Sequence, residues 1–84
     1  MKWRLLLDLD AIDFLAAQRR ADEERLRRRL RQIQEAPDRF ADYPEKDGHG
    51  RAVEAHFCGR FAIVYWIDLA ARDVKIFSIS LADM

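Results

Sequence analysis

Glu54 and His56 stand two residues apart in the stretch RAVEAHFCGRFAIVYWID, with Arg51 before them and Arg60 after. Side chains two apart on a strand share one face, so a carboxylate and an imidazole there would reach one substrate. In that role Glu54 and His56 serve as base and acid, and Arg51 or Arg60 clamps a phosphate. The simpler reading is a solvated strand face at a sheet edge, where Glu and His are ordinary residues. His49, between Gly48 and Gly50, reads as part of a flexible loop. Cys58 is the sole cysteine, which leaves no internal disulfide and no cysteine cluster for zinc. With no glycine-rich phosphate loop, metal-ligand spacing or serine nucleophile motif, no metal or cofactor is expected.

Arginine is the other residue type that could carry function. Arg19, Arg20, Arg25, Arg27, Arg28, Arg29 and Arg31 crowd one segment. Arg20, Arg27 and Arg31, with Arg51, are the candidates for gripping nucleic-acid phosphates in fork geometry. Against that, Glu23 with Arg27 and Glu24 with Arg28 have the helical spacing of four, and ion pairs of about 0.3–0.5 kcal/mol each would make this a solvated helix back. The chain has 15 Lys plus Arg and 15 Asp plus Glu over 84 residues, with a pI near 6.7. No global field draws it to a polyanion, so such a role would rest on local patches.

These side chains need elements to hold them. The length and composition predict one domain, residues 1–84, with a single core. Trp3–Leu7 reads as a first strand. Asp10 is placed to cap a short helix whose Ile12, Leu15 and Ala16 share a face. The acidic start Asp22, Glu23 and Glu24, followed by a basic body, suits a second helix, and Leu26, Leu30 and Ile33 form its apolar stripe. Pro37 ends it near Glu35 or Ala36. Residues 38–50, with Pro44 and the run Asp47–Gly50, read as loop.

From Arg51 the period is two. Val53, Ala55 and Phe57 point one way, and Glu54, His56 and Cys58 the other. Gly59 and Arg60 turn into the strand Phe61–Asp68, Leu69–Arg72 reverses the chain again, and Val74–Leu81 is the last strand, so these three strands are antiparallel. Two early helices can cover one face of such a sheet. Phe61, Ile63, Tyr65 and Ile67 would face the helices, leaving Ala62, Val64 and Trp66 on the open face. An apolar centre with an exposed tryptophan suits a protein partner better than a phosphate.

The order β-α-α-β-β-β, the words AIDFL, EAPDRF, GRFAIVYWID and VKIFSIS, and their spread over nearly the whole chain resemble the RelE/ParE superfamily, the toxin halves of bacterial type II toxin–antitoxin pairs. The resemblance implies an α+β domain with two N-terminal helices on one face of a small, mainly antiparallel sheet. It also implies a toxin neutralised by a cognate antitoxin. Nuclease members cleave mRNA on the ribosome with basic residues on the open face, commonly an arginine before the I-x-Y core and a basic cluster after the last strand. Here Ala62 takes that arginine's place, and Ser80 is followed by Leu81, Ala82, Asp83 and Met84.

The departure leans away from an enzyme and toward action by protein binding. Members of the ParE type are understood to inhibit DNA gyrase, so gyrase and the ribosome both stand as targets. A non-toxic interaction module, homodimeric through Ala62, Val64 and Trp66, is the alternative, and a ribosome-dependent mRNA endonuclease is a further one. The longest apolar run, Phe61–Ile67, falls far short of the roughly 20 residues of a membrane helix. No signal-peptide core follows Met1, so a cytoplasmic protein is expected.

Overall fold

The structure is a computed structural model that describes residues 2–46 and 48–82. Asp47 of the predicted loop, and Asp83 and Met84 of the terminal stretch, lie outside the described residues. The chain runs β1 (Arg4–Leu7), α1 (Leu9–Ala16), α2 (Arg20–Glu35), a 3₁₀ turn (Pro37–Phe40), β2 (Tyr43–Lys46), β3 (Ala52–Cys58), β4 (Phe61–Asp68) and β5 (Asp73–Leu81). The strands form one sheet in the order β1-β5-β4-β3-β2, antiparallel except where β1 lies parallel to β5. This is the expected α+β architecture with one strand added.

The added strand is β2, in the segment expected to be loop. Tyr43 pairs with Ala55 and Lys46 with Ala52, and all four residues of β2 are exposed. Pro44 speaks against a strand because proline cannot donate to a ladder, but an edge strand has one side with no ladder to supply. Helix starts also differ from expectation. Asp8 donates its backbone N–H to the Ile76 carbonyl as the last act of β1 pairing and is at once the residue preceding α1. Asp10 therefore sits inside the first turn, where its charge suits the helix dipole. In the same way α2 begins at Arg20, a turn's half before the acidic run.

Packing follows the stripes. Ala11 and Leu15 of α1 and Leu26, Leu30 and Ile33 of α2 bury against Phe61, Ile63 and Tyr65 of β4 and Val74, Ile76 and Ile79 of β5. Ile12 and Ala16, expected on the inner face of α1, are exposed instead. Tyr65 is fully buried, and its hydroxyl donates to the Pro37 carbonyl at 2.7 Å. Burial pushes this phenol well above its ordinary range, helped by the negative charges of Glu54, Asp42 and Asp38. It therefore remains a donor, and locks the end of α2 to the sheet.

At the β1 edge the Arg4 guanidinium grips the buried Asp73 carboxylate through Nε at 2.8 Å and Nη2 at 3.0 Å. That hydrogen-bonded fork holds the Asp73 carboxyl below the usual range, outweighing the opposing effect of burial. A depressed native value means stability that is complete above the unfolded value of about 3.9 and is lost as pH falls below it. Urea titrations of wild type and Asp73→Asn are expected to differ at neutral pH and to converge as pH drops below about 4. A gap that stayed constant through that range would contradict the ion pair.

Candidate functional site

The sheet has two faces, and the predicted site residues divide between them. On the helix side, Glu54, His56 and Cys58 stand opposite Tyr65, Ile63 and Phe61. The solvated reading of the Glu54 and His56 face is therefore corrected: α2 lies over it, and His56 is only 6% exposed. Sequence period placed the two on a common face but could not say which face the helices would choose.

His56 is bonded at both ring nitrogens. Arg29 of α2 approaches Nε2 at 2.6 Å, and Asp42, just before β2, approaches Nδ1 at 2.7 Å. A guanidinium only donates, so Nε2 accepts and the ring proton stands on Nδ1, donated to the Asp42 carboxylate. Phe40 meets the imidazole edge to face at 5.2 Å and also lies under Arg29. Asp42 further accepts the Phe57 backbone N–H at 3.1 Å, which satisfies β3 where β2 no longer runs beside it. His56 thus ties a helix, a loop and two strands together, with no ring nitrogen left over for a substrate. Neither Asp42 nor Arg29 was singled out in the sequence, since their partners lie 14 and 27 residues away.

Arg60 is likewise engaged. Its Nη2 donates to Asp22 at 2.8 Å and its guanidinium lies over Phe61, so the β3–β4 turn is pinned to the start of α2. Gly59 enters that turn with φ near +59°, and a Cβ there would meet the Arg25 guanidinium at 2.8 Å. Among the α2 arginines, Arg27 pairs with Glu23 as expected, but Glu24 pairs with Arg20 rather than Arg28. Arg28 and Arg31 project into solvent on the outer side of the helix.

The open face is built around β4. Ala62, Val64 and Trp66 are half-buried there. Ala55 and Phe57 lie opposite Val64 and Ala62, and on the other flank Ser78 and Ser80 do the same. A bulge at Val64/Tyr65 adds Phe77 to this surface. Arg51 covers both aromatics, its guanidinium 5.4 Å from the Trp66 ring and 5.2 Å from Phe77, and Lys75 reaches over Trp66 at 4.8 Å. Lys75 also approaches Asp68 at 3.6 Å. The expected bare apolar centre is thus an apolar band whose tryptophan carries two cations, each such contact contributing about 0.5–1 kcal/mol at an exposed site. At the β2 end, Tyr43 and Phe57 meet edge to face and both stand exposed. Arg51 belongs to this face, while Arg20, Arg27 and Arg31 lie on a helix behind the sheet, so the four arginines form no common patch.

No family model matches the sequence, and no curated protein matches it. Solved structures do match in shape. The chain is similar to a chain of the archaeal RelE–RelB complex from Pyrococcus horikoshii OT3, with a TM-score of 0.80 at 13% identity over 98% of this chain and 97% of that one. It is similar to a chain of the RelBE2 toxin–antitoxin complex from Mycobacterium tuberculosis, with a TM-score of 0.82 at 13% identity over 96% and 99%. For the isolated E. coli RelE toxin the values are 0.75, 18%, 98% and 86%. The chain has the RelE-like fold.

Proposed function

We propose that this chain is the toxin component of a type II toxin–antitoxin pair that acts by binding a protein target, and that a cognate antitoxin neutralises it. The observation that carries the reading is where the polar groups went. On a RelE-like sheet, the acid–base candidates Glu54 and His56 lie on the helix side, and His56 and Arg60 are spent on structure. RNA cleavage through a ribose 2′-hydroxyl needs a base, an acid and charge stabilisation at one place. The open face offers Ala62, Val64 and Trp66 with cations laid over the indole, a surface suited to anchoring a protein. Several of the similar structures are complexes with RelB, which supports an antitoxin as partner here.

Induced expression in a bacterial host, scored separately for protein synthesis and for DNA supercoiling, tests the proposal. Growth arrest is expected, with mRNA left uncut, and relief by co-expression of a short helical protein encoded beside this chain. Loss of supercoiling with translation intact would point to gyrase as target, and the reverse to the ribosome. Ribosome-dependent mRNA cleavage abolished by His56→Ala in a still-folded protein would overturn the non-nuclease reading. Unimpaired growth at high expression would favour the non-toxic interaction module.

A further inference from the structure

Two residues of the open face are buried without help from the helices. Val53 and Ala55 are each 2% exposed, yet neither belongs to the core beneath α1 and α2. Ala55 stands opposite Val64, and Val53, two residues before it, shares its side of the sheet. Side chains of the open face itself therefore cover them. A partner meets a surface that is already packed in the single chain, which lowers the ordering cost of binding.

The charges of this face have an order. Across the strands Leu6 lies beside Lys75 and Lys75 beside Trp66, and Val53, one step beyond the Glu54–Tyr65 pair, continues the row to its partner Glu45 at the β2 edge. Lys75 reaches the indole from the β5 side and Arg51 from the β3 side. Trp66 thus stands between two cations that spring from strands two apart, about 10 Å. Lys75 lies 3.6 Å from Asp68, too far for a good hydrogen bond, so its ammonium has donors to offer. Glu45 and Asp68 stand on the same face by register. A phosphate backbone, negative throughout, would meet those two carboxylates and the apolar Ala62 and Val64, whereas a polypeptide changes sign residue by residue.

We propose that this face takes a helix of its protein partner, laid across the strands, with carboxylates seven residues apart against Lys75 and Arg51 and apolar side chains between them on Trp66 and Val64. Helix geometry fits the spacing: seven residues rise about 10.5 Å and return to the same side, and the residues three and four along lie between them. In an extended segment, residues about 10 Å apart are three positions apart and point to opposite sides. The Arg51 guanidinium takes a carboxylate in fork geometry through its edge while its plane stays on the aromatic rings. This extends, and rests on, the reading of the face as a protein-binding surface.

A displayed library of random helical peptides, panned on the purified chain, tests it. Enriched peptides are expected to carry Asp or Glu at a spacing of seven, with Leu or an aromatic residue between. Labelled copies followed by fluorescence anisotropy are expected to bind Arg51→Glu and Lys75→Glu at least about 10-fold more weakly than wild type. Arg51→Gln, which removes the charge without reversing it, is expected to fall between, and Arg28→Glu, behind the sheet, to bind as wild type does. Circular dichroism checks each fold. Enriched peptides that lack the acidic spacing overturn the proposal. So do peptides that bind folded Arg51→Glu and Lys75→Glu undiminished, no enrichment over an unrelated protein, or an oligouridylate that displaces the peptides at a lower concentration than they bind. Growth arrest on expression is scored separately: arrest with binders of another chemistry overturns this proposal alone, whereas acidic binders of a chain that leaves growth unimpaired retain it and overturn the toxin reading.

Discussion

Leu26→Ala is expected to lower the free energy of unfolding by about 3–5 kcal/mol. Leu26 has no exposed surface and is the first residue of the α2 stripe that continues through Leu30 and Ile33 onto the β4 side chains. Removing it loses the transfer free energy of the isobutyl group and leaves a void in a layer only two elements thick, where little can move to fill it. A domain of this size has a total stability on the order of 5–15 kcal/mol, so this one change would shift the midpoint of a urea titration strongly. Leu9→Ala, at a position that is 74% exposed, is expected to cost little. Equal effects of the two would mean that α2 does not lie on the sheet as described.

His56→Ala is expected to be costly for a different reason. It removes the acceptor of Arg29 and the donor of Asp42 together, and buried hydrogen bonds to charged partners contribute about 1.5–3 kcal/mol each at most. Arg29 keeps its bond to Gln32 at 2.8 Å and its place over Phe40, and Asp42 keeps the Phe57 N–H, so neither is wholly stranded. A net loss of about 2–4 kcal/mol follows. His56→Asn puts an amide N–H close to where Nδ1 stood and is expected to recover roughly half of that by keeping the Asp42 bond. Thermal unfolding of the three proteins reads this directly. If Ala and Asn were equally stable, the Asp42 bond would be worth nothing.

Much of this fold could be read from the chain because its signals are local. Leu26, Leu30 and Ile33 at spacings of four and three fixed the buried side of α2, and strict alternation in Phe61–Asp68 separated Phe61, Ile63 and Tyr65 from Ala62, Val64 and Trp66 as the structure does. What was not legible depended on distant partners. Tyr43–Lys46 has no apolar period, and it becomes a strand because Ala52–Ala55 supplies a ladder. The bonds of His56 to Arg29 and Asp42 join three segments that no short-range pattern connects, and they turned a seemingly catalytic pair into structure. Arg51 and Lys75 come to lie over Trp66 from two other segments, so the character of the open face was half visible: its apolar residues were in the alternation, but its cations were not.

On the proposed function, the open face around Trp66, and not the His56 cluster behind it, carries the interaction with the antitoxin. Calorimetric titration of the chain with the antitoxin proposed as its partner, comparing wild type, Trp66→Arg and His56→Asn after circular dichroism has confirmed each fold, tests this most directly. Loss of a buried tryptophan anchor costs 2 kcal/mol or more at a typical interface, about 30-fold in affinity or greater. Trp66→Arg is therefore predicted to weaken binding by at least about 30-fold, with His56→Asn close to wild type. Binding that survives Trp66→Arg unchanged, or that fails in a well-folded His56→Asn, would contradict the account.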